Sequence, residues 1–207
     1  MPRAPRLVVP GLPHHVTQRG IRRKTTFFSV ADYLAYIALL KKYKQIAGVD
    51  IWNYCLMPNH VHMIVVPNNE NSLAKFFGPV HSQYAARINS AHEWQGHLWQ
   101  QRFYSTVMDE QHTLAAMRYV ELNPVRAGLC ASPDDWRWSS VCANLGLNVD
   151  ELVSTDMTRV LVDNWRDYID EAISDEMLNS IRKFTRSGRP AGNERFIRSL
   201  EIEPTRG

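Results

Sequence analysis

Two strand-like runs, 50–56 and 60–66, are separated only by Met57-Pro58-Asn59, and this pair constrains the fold more than any other feature. Both are rich in Ile, Val, Trp and Tyr, and Pro58 breaks the extended chain between them, so they read as an antiparallel hairpin. A short strand over 12–18 precedes a helix that Ser29 or Asp32 can cap, which runs to about Ile46 and stops at Gly48. After the hairpin, Ser72 opens a helix to about Ser90, with Leu73, Phe76, Phe77, Val80, Tyr84 and Ile88 at helical spacing. Residues 96–108 read as an extended segment or strand. A further helix runs from Thr113 to about Arg126 and ends at Gly128. The order βα, ββ, α, β, α predicts an α+β fold, an antiparallel sheet with helices packed on one or both faces.

Past Gly146 the character changes. A short helix is expected over 134–140, then amphipathic helices over 154–172, 175–185 and 194–200. We therefore expect one domain over 1–147 and a small helical C-terminal extension over 148–207. Gly188-Arg189-Pro190 reads as a turn rather than a minor-groove hook, since Ser187 separates the preceding Arg186 from the glycine.

Charge is distributed unevenly. Residues 1–48 carry nine Lys/Arg against one acid, whereas 49–150 and 151–207 are both net negative. Arg19, Arg22, Arg23 and Lys24 crowd one Gly-containing segment, either a solvated loop or a rim that binds phosphates. No apolar run approaches the roughly 18 residues of a membrane span, so no membrane partner is expected. Cys55, Cys130 and Cys142 form neither a disulfide framework nor a zinc knuckle. The cytoplasm is the expected compartment.

On a strand, His60 and His62 project to one face while Val61, Met63 and Val65 face the core. Two imidazoles at that spacing can hold one divalent ion, though composition alone yields roughly 0.3 such pairs in a chain like this, so the spacing needs support. Tyr119 and Asn123 stand four apart on the expected helix and share a face. Asn123 could add an amide oxygen to a two-nitrogen set suited to Mg²⁺ or Mn²⁺, or it could merely end the helix before Pro124. Glu121 points away from Tyr119.

Four blocks, taken in order, carry a resemblance: Met57-Pro58-Asn59-His60-Val61-His62, the run 96–103, the run 118–128 and Trp136-Arg137-Trp138-Ser139-Ser140. Over about residues 8–145 the chain resembles the REP-associated tyrosine transposases, relatives of the IS200/IS605 transposases among the HUH single-strand nucleases. The resemblance implies a ferredoxin-like core over 1–147, metal-binding His60 and His62, Asn123 as third ligand and Tyr119 as nucleophile. It further implies that the chain nicks and rejoins single-stranded hairpin DNA, with Mg²⁺ or Mn²⁺, through a 5′-phosphotyrosine intermediate. A bacterial, nucleoid-associated protein is the corresponding expectation. Insertion-sequence relatives are dimers, whereas the REP-associated branch reads as monomeric, so a monomer is expected here. Candidate DNA contacts are Arg19, Arg22, Arg23, Lys24 and Arg102. Trp99 and Phe103 read as packing residues, and His97 as structural. The rival readings are a metal-dependent hydrolase, which needs further Asp, Glu or His ligands, and a hairpin-binding protein that has lost cleavage.

Overall fold

The computed structural model describes residues 6–155 and 162–201. Its sheet has four strands, β1 (His14–Arg19), β2 (Val49–Met57), β3 (His60–Pro67) and β4 (Tyr104–Val107), in the order β2-β3-β1-β4 with every neighbouring pair antiparallel. Helix α1 (Val30–Ala47) links β1 to β2, and α2 (Ser72–Ala91) links β3 to β4, which makes the ferredoxin-like βαββαβ arrangement. The hairpin turns at Pro58-Asn59, where the 50–56 and 60–66 runs meet.

Local chemistry sets the ends of α1. Asp32 accepts from the backbone N–H groups of Ser29 (2.9 Å) and Phe28 (3.1 Å), satisfying donors that lie outside the helical ladder. Gly48 closes the helix in the left-handed conformation at φ 61°, and a hydrogen bond from Asn68 N–H to the Gly48 carbonyl ties that end to β3. In α2, Asn71 rather than Ser72 takes the cap position, and the Ser72 hydroxyl accepts from the Asn69 N–H.

Alternation along the strands gives the sheet two buried faces. Val16, Val61, Met63, Val65, Tyr54 and Leu56 meet α1 and α2 through Tyr36, Leu40, Phe76, Phe77, Val80 and Tyr84. Each of these large side chains contributes roughly 1.5–3 kcal/mol on burial. Trp99 and Phe103 pack on this side, as expected. The opposite face presents Cys55, Met57 and Ile64 to helix α3 (Glu110–Glu121), which contributes Ala116, Met117 and Val120. An irregularity at Trp52 shifts the β2 register, and beyond it Asn53 faces α3 rather than α1.

Four local expectations change. Only 104–107 of the 96–108 segment is a ladder strand; before it the chain makes an isolated bridge from Trp99 to Gly20 and buries Trp99 and Phe103. The 113–126 helix starts earlier, capped by Asp109, and divides at Leu122 into α3 and α4 (Asn123–Arg126), where Pro124 lacks the N–H needed to continue the ladder. The 134–140 segment is a 3-10 turn (Pro133–Asp135) followed by a turn at Arg137-Trp138 and an isolated bridge from Ser139 to Cys55. Leu56 donates to the Trp138 carbonyl and Ser140 donates to that of Tyr54, so this chain extends the β2 edge before α5 (Val141–Asn144). Within the 154–172 expectation, α6 spans Trp165–Asp170 and residues 156–161 lie outside the described residues.

Helices α7 (Asp175–Ser187) and α8 (Glu194–Glu201) follow. Gly188 ends α7 at φ 68°, so the Gly-Arg-Pro run is a helix-terminating turn. Residues beyond 147 pack on both sides of the sheet: Leu152 and Val153 join the α1–α2 core, whereas Trp165 and Ile169 are buried on the α3 side, where Arg118 donates to the Tyr168 carbonyl at 3.0 Å. The three cysteines are unbonded. Among the described residues, no helix is long and apolar enough to cross a membrane.

Candidate active site

The β1–β3 register places Thr17 opposite His62 and Arg19 opposite His60, so these four side chains share the face that α3 covers. Helix α3 lays Tyr119 across it. The Tyr119 ring meets the His62 ring edge-on with centroids 5.7 Å apart, and the His60 and His62 rings lie 4.9 Å apart. The three side chains line a cavity of about 370 Å³ together with Arg19, Arg23, Tyr104 and Arg182. Residues far apart in the chain thus converge on one open, mostly polar space.

Burial governs the imidazoles. His60 is lowered to about 3, first by desolvation and then by the positive charges of Arg19 and Arg23. Burial likewise drives His62 well below its ordinary value, with His60 and His15 adding to the effect. Both rings are therefore neutral at neutral pH and keep one nitrogen lone pair each.

For His60 the neighbours identify that nitrogen. Asn59 donates its amide N–H to the Arg23 carbonyl at 2.9 Å, which turns the Asn59 Oδ1 toward His60 Nδ1 at 2.5 Å. Nδ1 must carry the proton, leaving Nε2 bare. His62 Nδ1 is likewise engaged, 2.9 Å from His15 Nε2. Neutral imidazoles held through one nitrogen are what a divalent ion requires of its histidine ligands, so the pair fits a divalent metal ion.

The other expected site residues divide. Asn123 begins α4, one turn beyond Tyr119. It is buried, does not line the cavity, and its amide nitrogen has no hydrogen-bond partner among the described residues. Arg22 and Lys24 are exposed and stand outside the cavity lining. Arg22 and Arg23 both take left-handed dihedrals (φ 52° and 60°), strained for residues with a Cβ. Gly20 permits this turn, because a Cβ there would lie 2.4 Å from the Lys24 carbonyl oxygen. Arg102 is exposed in a separate groove with His97, Trp99 and Phe103. Glu121 faces away from the cavity, as expected, and is buried against Asn53, Asn144 and Trp165.

Sequence reasoning missed His15, Arg126, Arg182 and Thr185. The Arg126 guanidinium lies over the Tyr119 ring at 4.7 Å. Its i+7 spacing from Tyr119 was the one available signal. Arg182 and Thr185 enter the cavity lining from α7, and nothing local in the sequence marks them.

Comparison with known proteins places the chain in a family and supports its fold. A family described as "Transposase IS200 like" matches residues 9–123, a span that holds His60, His62, Tyr119 and, at its last position, Asn123. A Haemophilus influenzae protein provisionally described as a REP-associated tyrosine transposase is 25% identical over 97 residues, 42% of this chain and 55% of the relative. The chain thus spans about half the length of that curated relative. A solved structure of a REP-associated tyrosine transposase bound to a REP hairpin superposes with a TM-score of 0.61 at 18% identity, covering 74% of this chain and 94% of the other. At that identity the likeness establishes the fold.

Proposed function

This chain belongs to the IS200-like transposase family, and on that premise we propose that it nicks and rejoins single-stranded, hairpin-forming DNA through a phosphotyrosine on Tyr119. The observation that carries the reading is the meeting of Tyr119 with His60 and His62 in one cavity rimmed by arginines.

His60 and His62 would hold Mg²⁺ or Mn²⁺ through Nε2, and Asn123, which does not line the cavity here, would have to turn into it to serve as the third, neutral ligand. The bound ion would polarise the scissile phosphate and orient it for in-line attack. Tyr119 Oη forms the new bond to phosphorus and loses its proton to solvent. The bond from phosphorus to the 3′-oxygen breaks, and that oxygen leaves as a 3′-OH once protonated. The DNA 5′ end then sits on Tyr119. Attack by a 3′-OH reverses the step, so rejoining needs no ATP. Arg19, Arg23 and Arg182 line the cavity and would bind backbone phosphates. A hydrolase reading calls for further carboxylate or imidazole ligands. Among the described residues, no group of three or more His, Cys, Asp or Glu side chains is placed to hold a metal ion. Tyr119 and the histidines meet within one chain, which favours action as a monomer.

The test is incubation of the full chain with end-labelled single-stranded hairpins and Mn²⁺. A protein–DNA adduct that survives denaturing gels, carries the fragment 3′ of the nick through its new 5′ end and maps to Tyr119 is expected. Nicking with no adduct would replace this reading with hydrolysis.

The placement of the basic residues separates two roles. Arg22→Ala with Lys24→Ala should flatten the plot of log affinity against log salt, by about 0.7 for each single-strand phosphate that these side chains neutralise in the wild type. The nicking rate at saturating DNA should hold, because neither side chain lines the cavity. Arg23→Ala should lower both. An unchanged slope in the double variant would show those two charges to be solvated surface only.

A further inference from the structure

Inside the sheet, beyond the cavity lining, lies a third histidine that the reaction scheme does not use. His15 is buried on β1 and its ring stacks on that of His62, with centroids 5.1 Å apart. Its two nitrogens are both engaged. Nε2 lies 2.9 Å from His62 Nδ1, and Nδ1 lies 3.1 Å from the Thr185 hydroxyl, contributed by α7 from 170 residues away.

The direction of this chain of hydrogen bonds follows from its outer end. The Thr185 hydroxyl donates its single proton to the Ile181 carbonyl, at 2.7 Å. Toward His15 it can therefore only accept, so His15 Nδ1 carries a proton. A neutral His15 then has a bare Nε2, which accepts from His62 Nδ1–H. That leaves the lone pair of His62 on Nε2. The polarity set on α7 thus decides which nitrogen of His62 is free for a ligand.

We propose that His15 and Thr185 are positioning residues that hold His62 in its Nδ1–H tautomer with Nε2 presented as the metal-binding lone pair. Neither residue touches the ion; both act through His62. The proposal rests on the reading that His62 is a metal ligand, but its central claim concerns a proton position in the metal-free protein. The arrangement also gives α7 a role in the chemistry: helix and threonine terminate a hydrogen-bonded chain that starts at the metal ligand.

Two readouts test it on the full chain. The first is the His62 tautomer in metal-free, ¹⁵N-histidine-labelled protein, from two-bond ¹H–¹⁵N correlation. The second is Mn²⁺ affinity by calorimetry without DNA. The wild type should show His62 protonated on Nδ1. In His15→Phe the buried Nδ1–H loses its acceptor, so the Nε2–H form should appear and Mn²⁺ binding weaken about 10- to 100-fold. His15→Gln keeps an acceptor oxygen and should restore most of the tautomer preference and affinity, which a merely structural role would not do. Thr185→Val is a milder second variant should His15→Phe fail to fold, and should shift the tautomer the same way. A wild-type His62 protonated on Nε2, or a tautomer indifferent to both His15→Phe and Thr185→Val, overturns the proposal. Loss of all Mn²⁺ binding in His15→Gln with the His62 tautomer intact also overturns it, by making His15 a ligand. If wild-type protein shows the tautomer but binds no Mn²⁺, the metal reading of the site fails while the assigned proton position stands.

Discussion

Tyr119→Phe should abolish the covalent adduct and reduce nicking by a factor on the order of 10³ or more, the scale set by removing an enzyme's nucleophile. The substitution deletes one oxygen. Tyr119 is half-buried, its ring meets those of His62 and His15 edge-on, and Arg126 lies over its face; Phe keeps all of these ring contacts. The proposed metal donors are imidazole nitrogens rather than the phenol, so Mn²⁺ affinity should stay within about twofold of wild type, well under the tenfold that 1.4 kcal/mol represents. Hairpin affinity should hold for the same reason, since the arginines are untouched. Tyr104 makes a demanding control because it lines the same cavity from β4. Tyr104→Phe should still form the adduct. An adduct that vanishes in Tyr104→Phe and persists in Tyr119→Phe moves the nucleophile, and wild-type nicking by Tyr119→Phe ends the covalent mechanism.

How much of this site could be read in the chain depends on the range of each signal. Strand alternation is local, so the shared face of His60 and His62 was legible, as was the hairpin that carries them. Helix ends were legible where their chemistry is local, as with Ser29, Asp32 and Gly48. Partners fixed by strand order were not. His15 reaches His62 only because β1 lies between β3 and β4, and a His-His pair in an isolated strand says nothing of that. Thr185 and Arg182 are farther still from any local signal. The segment 134–140, taken by itself, reads as a short helix. Its hydrogen bonds to the β2 edge override that pattern, a tertiary effect no short window contains. Asn123 shows the reverse case. Its spacing from Tyr119 was legible, yet the break at Leu122 places it at the head of a second helix, buried behind the cavity.

Glu121→Ala should lower stability by about 3–5 kcal/mol, and Tm by roughly 10 °C, the largest such loss expected from one residue outside the apolar core. The Glu121 carboxyl is fully buried and takes three hydrogen bonds: from Asn53 of β2 at 2.7 Å, from Asn144 of α5 at 2.6 Å and from the Trp165 indole of α6 at 2.8 Å. Burial pushes its pKa up to about 7, held back by the hydrogen bonds from Asn144 and Trp165. Alanine strands three buried donors, each carrying a desolvation penalty of about 1–3 kcal/mol, and opens a cavity among them. Glu121→Gln keeps the volume and one acceptor oxygen but sets an amide N–H₂ against at least one donor, so it should cost less, about 1–2 kcal/mol. The two variants separate hydrogen bonding from packing, and urea denaturation at fixed pH measures both. Glu121 lies two residues from Tyr119, and its partners come from three separate elements, so loosening it should free α3 from the sheet face. Nicking should therefore fall in Glu121→Ala even at temperatures where the protein stays folded, while Glu121→Gln retains it. A loss below about 1 kcal/mol in Glu121→Ala would mean that solvent reaches the site and satisfies the three donors, and that α3 is held by its apolar face alone.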